Sequence, residues 1–304
     1  MSDPGAILFG DWGSTRLRLW LVHGTERLKH VEMPGLVAAA KSPAQTLENA
    51  LMQIENASKA RQIILCGMAG ARGGLNEVPH APCPGTEADC ARNAVRSSFR
   101  QHEVLVFPGF SCRDTAGTPD VMRGEEAQVF GAMALDPVLA HGNWIFVLPG
   151  THSKWVKLHD GRIEHFATCI TGELFGRLEA SSLLDGARLD KDGTGTEEEG
   201  FAEGIVARGR GGALGSVIFA ARSARLCDGR SLAWAQGFIS AVLIADEVAA
   251  HMLDARENEI VVIGGGALAT RYAEVIKQLG GNARILGGDA CVLRGLEVGY
   301  AQLG

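Results

Sequence analysis

The segment Asp11-Trp12-Gly13-Ser14-Thr15-Arg16 sets an acid at the end of an apolar run, then a glycine turn with free N–H groups, two hydroxyls and a cation. Phosphate accompanied by a hard divalent ion calls for that mixture: amides and hydroxyls cradle the anion, and a carboxylate holds the hydrated cation. A hairpin turn whose aspartate bonds its own backbone uses the same residue types. Gly150-Thr151-His152-Ser153-Lys154 offers a second set of hydroxyls, N–H groups and a cation, with Leu148 where the first segment has Asp11. One turn would carry metal and phosphate, the other phosphate alone. The structural alternative makes Lys154 a solvated lysine and Thr151 a plain turn residue.

Asp120, at a predicted helix start, is a candidate to accept the proton of an attacking hydroxyl, and Glu125 is its rival; Asp120 is equally suited to a plain N-cap. Arg72 and Arg123 each stand beside a glycine and are candidates for a bidentate grip on a substrate carboxylate, or are surface arginines. Gly264-Gly265-Gly266-Ala267, followed by Leu268-Ala269, fits a loose dinucleotide pattern and raises an NAD-type oxidoreductase as an alternative. Too little chain follows for the rest of a dinucleotide domain, and no acid ends the next strand at the expected spacing. A glycine turn against adenosine in a kinase uses the same residues.

Elements must position these groups. Residues 6–22 read as strand, tight turn and strand, with Leu17, Leu19 and Leu21 alternating against Arg16, Arg18 and Trp20. A helix is predicted over 43–59, then a buried strand over 62–66 that ends in the glycine-rich loop 67–74. After a strand at 104–107, the polar stretch 108–119 reads as a hinge, which predicts a domain boundary between 119 and 120. Asp120 would then open a helix as its N-cap. Strands at 144–148 and 155–158 flank the second turn, so residues 13–24 and 150–161 look like one unit used twice. Residues 197–253 read as mainly helical, with Ile239, Val242, Leu243 and Val248 on a packing face. A strand-turn-helix repeat closes the pattern, and the class is α/β.

With 304 residues, 46% hydrophobic and 21% charged, the chain reads as a globular protein large enough for two domains. A net charge of -6 gives no footprint for nucleic acid, and no basic run suits a membrane surface. No leader is evident and no apolar run approaches the length of a bilayer crossing, so a cytoplasmic protein acting on small molecules is expected. The seven cysteines form no Cys-x-x-Cys pair, which argues against a disulfide frame or a zinc site. Of nine histidines only His152 lies among other chemical signals. A homodimer is allowed but not required.

The ordered set Asp11-Trp12-Gly13-Ser14-Thr15, Gly67-Met68-Ala69-Gly70, Val121-Met122-Arg123-Gly124-Glu125-Glu126, Pro149-Gly150-Thr151-His152-Ser153-Lys154-Trp155 and Thr171-Gly172-Glu173-Leu174-Phe175 resembles the 2-dehydro-3-deoxygalactonokinase family. The resemblance implies the actin-like (ribonuclease H-like) sugar-kinase fold, two α/β domains with a nucleotide cleft between them, and ATP and Mg2+ as cosubstrate and cofactor. It implies phosphorylation of the 6-hydroxyl of 2-dehydro-3-deoxy-D-galactonate. On that basis Gly13, Ser14, Thr15 and Arg16 form the first phosphate loop and Asp11 orders the metal. Gly150 to Ser153 form the second loop, with Lys154 beside it, and Gly264 to Ala267 the adenosine turn. Met68, Gly70, Arg72, Arg123 and Glu173 would face the sugar acid. The glycine loop departs from the family pattern, reading Gly73-Gly74-Leu75 where a tryptophan is expected after the glycine. A non-catalytic ATP-binding regulator on the same fold is the remaining alternative.

Overall fold

The computed structural model describes residues 5–37, 42–181, 183–184, 193–252 and 259–303; the end of the predicted 197–253 helix, Leu253, lies outside them. The chain divides into two compact units, the first comprising residues 1–144, 156–167 and 286–304 and the second residues 145–155 and 168–285.

Unit 1 holds a six-stranded sheet made of β1 (Ala6–Trp12), β2 (Arg16–His23), β3 (Glu26–Pro34), β4 (Gln62–Gly67), β6 (Val95–Phe99) and β7 (His102–Val106), ordered β3-β2-β1-β4-β7-β6. β1 runs parallel to β4 and antiparallel to β2. Central strands covered on both faces are apolar along their length, and Leu8, Trp12, Ile63, Leu65, Val104 and Val106 are accordingly buried in one core with Leu47 and Ala50 of helix α1 (Pro43–Gln53). A small sheet joins β5 (Ala81–Pro82), β8 (Phe110–Arg113) and β9 (Pro119–Met122). Helices α2 (Glu87–Arg92), α3 (Glu125–Leu135) and α9 (Gly288–Ala301) also belong to the unit.

The division does not fall at 119/120. The stretch 108–119 is no hinge: Phe110 and Cys112 are buried, and β8 pairs antiparallel with β9 across 114–118, Phe110 opposite Met122 and Cys112 opposite Asp120. Asp120 is therefore a strand residue, and α3 starts later, at Glu125, with Gly124 at φ 108° as its N-cap. α3 stays with unit 1 because it lies against α9 backbone to backbone. A Cβ on Gly131 would come 1.7 Å from the Cys291 carbonyl oxygen, and one on Gly295 1.8 Å from that of Ala127. Only glycine permits such an approach.

The second sheet holds β10 (Asn143–Leu148), β11 (Ser153–His159), β12 (Arg162–Cys169), β13 (Ile260–Gly264) and β14 (Ala283–Gly287), ordered β12-β11-β10-β13-β14. That is the order β3-β2-β1-β4-β7 over again, so the unit suspected from the two turns recurs as strand topology. Helices α4 (Thr171–Glu179), α5 (Glu197–Gly209), α6 (Leu214–Cys227), α7 (Leu232–His251) and α8 (Gly266–Gln278) follow. Against the expectation of no membrane-length apolar run, α7 is long and apolar enough by composition, but 72% of that window is buried inside the protein, where Ile244, Ala245 and Val248 pack on Val147, Val262 and Ile276. It is a core helix, apolar nearly all round.

Candidate active site

In unit 1 the parallel strands β1 and β4 end side by side, Asp11 opposite Cys66 and Trp12 opposite Gly67. The Asp11 side chain is buried; its Oδ2 accepts from Arg18 and its Oδ1 from the Cys66 thiol at 3.7 Å. Arg18, on β2, also binds Asp289 at the start of α9. Burial alone would lower the Arg18 pKa, but Asp11 and Asp289 carry it above its ordinary value. The Cys66 thiol is pushed well up by burial and then by Asp11, so it stays a donor. The chain at Gly124 closes on this corner: a Cβ there would sit 3.2 Å from the Gly67 Cα and 3.6 Å from Asp11 Oδ1. Gly124 at φ 108° and Gly67 at φ 76° are the backbone conformations that let the two loops meet beside the carboxylate.

The turn after β1 presents donors. The carbonyls of Gly13, Ser14 and Thr15 are taken by the amides of Leu36, Val37 and Gly35, and Gly13 N–H is closed onto the Arg16 carbonyl. Among the described residues the Ser14 and Thr15 amides and hydroxyls meet no partner, and Thr15 is exposed. What remains on the open side favours an anion. Arg16 is exposed and paired with Glu32 at 3.4 Å.

On the other side of Gly124, the Arg123 guanidinium is half-buried without an ion-pair partner among the described residues. Its Nη2 donates to the Val78 carbonyl at 2.8 Å and meets His80 Nδ1 at 3.4 Å; its buried Nη1, unpartnered, would lie 2.7 Å from a Cβ on Gly70. Burial pulls the Arg123 pKa down, and burial together with that guanidinium keeps His80 below its ordinary value, hence neutral. A half-buried cation in no ion pair among the described residues is a place for an anionic substrate group. Arg72 is exposed, and Met68 to Gly70 form a single turn after β4. Glu125 Oε2 accepts from Arg123 N–H at 2.9 Å and Glu126 Oε2 from Gly124 N–H at 2.7 Å. Glu126 is wholly buried, and burial, then the neighbouring Glu125, pushes its carboxyl up to about 8.

In unit 2 the turn after β10 keeps Thr151 and His152 exposed. Ser153 and Lys154, expected at phosphate, instead belong to β11 and are buried: Ser153 Oγ donates to Glu247 at 2.7 Å, and Lys154 Nζ to Thr168 at 2.7 Å. As neighbours on a strand they point to opposite faces, and both faces of β11 are covered at this end. His152 meets Glu173 at 2.8 Å, and that hydrogen bond holds Glu173 below the usual carboxylate range. Glu173, expected at the sugar acid, lies at the partly buried start of α4 against this turn, its N–H on the Thr151 carbonyl at 2.9 Å. Gly265 caps α8 and Gly266 opens it at φ 63°, with open space where either would carry a Cβ.

A sequence model described as 2-keto-3-deoxy-galactonokinase matches residues 11–298. The chain belongs to the 2-keto-3-deoxy-galactonokinase family. It is 32% identical over 98% of its length to a "Probable 2-dehydro-3-deoxygalactonokinase" of Rhizobium meliloti (strain 1021), covering 97% of that protein. It is 29% identical to the 2-dehydro-3-deoxygalactonokinase of Escherichia coli (strain K12), over 94% of both chains. A crystal structure of a "putative 2-dehydro-3-deoxygalactonokinase protein" from Sinorhizobium meliloti superposes with a TM-score of 0.85 at 32% identity, over 97% of this chain and 95% of that one. The fold is that of the actin-like sugar kinases.

Within this kinase family member, the structure gathers Asp11, Gly67, Gly124 and Arg123 in unit 1, and leaves Asp120 on β9. Three participants were not anticipated: Arg18, His80 and Glu247. Glu247 had a weak signal, an acid in the apolar run of α7, beside Asp246, which pairs instead with Arg208. Arg18 had a weaker one, since it shares the polar face of β2 with Arg16, two residues apart. Nothing in the local sequence marks His80.

Proposed function

We propose that the protein transfers the γ-phosphoryl group of ATP to the 6-hydroxyl of 2-dehydro-3-deoxy-D-galactonate. The observation that carries this reading is the meeting of Gly67 and Gly124 beside Asp11, with the Arg123 guanidinium, in no ion pair among the described residues, next in the chain. Phosphoryl transfer asks the protein for positioning and charge stabilisation more than for covalent chemistry. Arg123, neighboured by neutral His80, binds the substrate carboxylate. The donor-rich turns at Ser14-Thr15 and at Gly150 to His152 bind phosphate oxygens, and the turn Gly264 to Ala267 with the start of α8 receives the adenosine.

Mg2+ keeps several waters and takes one or two carboxylates plus phosphate oxygens. Among the described residues no cluster of three or more His, Cys, Asp or Glu side chains could hold it alone. Asp11 fits as its single carboxylate, since Oδ1 faces Gly67 and Gly124 while Arg18 fixes the other oxygen. The ion would neutralise charge on the phosphate oxygens. Glu125 is the better-placed candidate for the base, because it follows Gly124 directly and starts α3, whereas Asp120 pairs with Cys112 on the β8–β9 hairpin.

A coupled ADP-release assay over a panel of 2-keto-3-deoxy sugar acids tests the reaction. Turnover is expected with the galactonate-derived acid, and a folded protein inert toward the whole panel overturns the reading. Glu125→Gln should lower kcat by about a hundredfold or more, with Asp120→Asn near normal; the reverse pattern returns the base to Asp120.

A further inference from the structure

We propose that Glu247 is a positioning residue for the nucleotide side of the reaction, holding the Gly150 to His152 turn in shape through Ser153 and Thr171. The inference rests on the reading of that turn as a phosphate loop. Glu247 sits on α7, only 5% exposed, among the apolar side chains of Ile244, Ala245 and Val248. Four donors converge on its carboxylate: Ser153 Oγ at 2.7 Å and Trp155 Nε1 at 2.7 Å on Oε1, Tyr272 OH at 2.8 Å and Thr171 Oγ1 on Oε2. An ionised carboxyl group has about four acceptor directions, so none is left over.

The donors come from three elements that surround the turn. Ser153 follows it directly on β11. Thr171 opens α4, whose next residue, Gly172, would carry a Cβ only 2.3 Å from the Gly150 carbonyl oxygen, and whose Glu173 N–H bonds the Thr151 carbonyl. Tyr272 belongs to α8, the helix that starts at the Gly264 to Ala267 turn. The phosphate turn is thus gripped in front by Ser153 and behind by α4, and both grips end on one carboxylate. One helical turn further on, His251 stacks on Trp155 with ring centroids 5.0 Å apart, so α7 fixes that indole from two points. Packing alone does not ask for an acid here. An apolar side chain of the same volume often serves a core as well as or better than a buried charge. A network with every member satisfied does something else: it specifies one arrangement of the elements that share it.

The test is steady-state kinetics on the whole chain, with ATP and sugar acid varied separately, alongside thermal melting. Glu247→Gln keeps an acceptor for Ser153 and Trp155 and sets its NH2 against the Thr171 and Tyr272 hydroxyls, which can rotate to accept. The expected result is a KM for ATP raised about tenfold, with the sugar-acid KM within about twofold and melting close to wild type. Thr171→Val, which cuts only the tie to α4, should shift the ATP KM in the same direction by less. An unchanged ATP KM, with lowered melting or an equal loss against both substrates, overturns the proposal and leaves Glu247 a core residue. Should Glu247→Gln not fold, the Thr171→Val ratio of the two KM values decides alone. Failure of the wild-type protein to turn over ATP is a different outcome, which refutes the phosphate-loop reading itself.

Discussion

Replacing Glu126 by glutamine takes a titrating proton out of the interior of unit 1 while keeping the shape of the side chain. Glu126 is wholly buried, its Oε2 accepts from the Gly124 N–H, and its Oε1 has no partner. In the folded protein its carboxyl titrates near 8, against an ordinary value of about 4.5 in the unfolded chain. Between those two values the folded state holds one more proton than the unfolded state, so stability falls as pH rises through the window. The slope is somewhat over 1 kcal/mol per pH unit, and the loss by pH 8 amounts to roughly 4 kcal/mol at most. Glutamine never ionises: it still accepts from Gly124, and its amide NH2 faces the same partnerless space as the present carboxyl oxygen. Glu126→Gln should therefore match wild type near pH 5 and exceed it near pH 8 by roughly 5 to 10 °C in Tm. Thermal unfolding of both proteins at pH 5, 6.5 and 8 measures this, and titrating groups that do not interact with Glu126 cancel in the difference. Parallel pH profiles would refute the reasoning.

Two further outcomes follow from close contacts. Gly131→Ala places a methyl 1.7 Å from the Cys291 carbonyl and must push α3 off α9, so it should cost about 3 kcal/mol or more despite the better helix propensity of alanine; a denaturant midpoint equal to wild type refutes that packing. Arg123→Met keeps the apolar stem and removes the half-buried cation, so the KM for the sugar acid should rise about thirty- to hundredfold with the ATP KM little changed. An equal loss in both would mean that Arg123 serves the fold and not the substrate.

The motifs at 11–16, 67–70 and 121–126 could be read because phosphate turns need glycine and hydroxyls at fixed offsets, and apolar strands that end in glycine declare themselves. The repeated strand order behind the two turns was visible only as a faint likeness, since the two copies share geometry and little sequence. What misled was burial. The 108–119 stretch looks polar, yet it hides Phe110 in a hairpin; Asp120 resembles an N-cap, yet the helix waits for the positive φ of Gly124. Ser153 and Lys154 look like phosphate ligands by type, but they open β11 on opposite faces of a strand that is covered on both sides there. Arg18, His80 and Glu247 act through partners many positions away, and such pairings have no local signature.

The intimate contact of α3 with α9 also fixes an order of events at the ribosome. α9 follows all of unit 2 in the chain, yet its Gly295 and Asp289 complete the packing and the charge pairing of unit 1. During synthesis the sheet that carries Asp11 emerges first but has neither its last helix nor the second acid that anchors Arg18. Unit 2 has all of its residues before then. The usual rule that N-terminal domains finish first does not hold for unit 1, whose corner around Asp11 is completed only after all of unit 2 has been made.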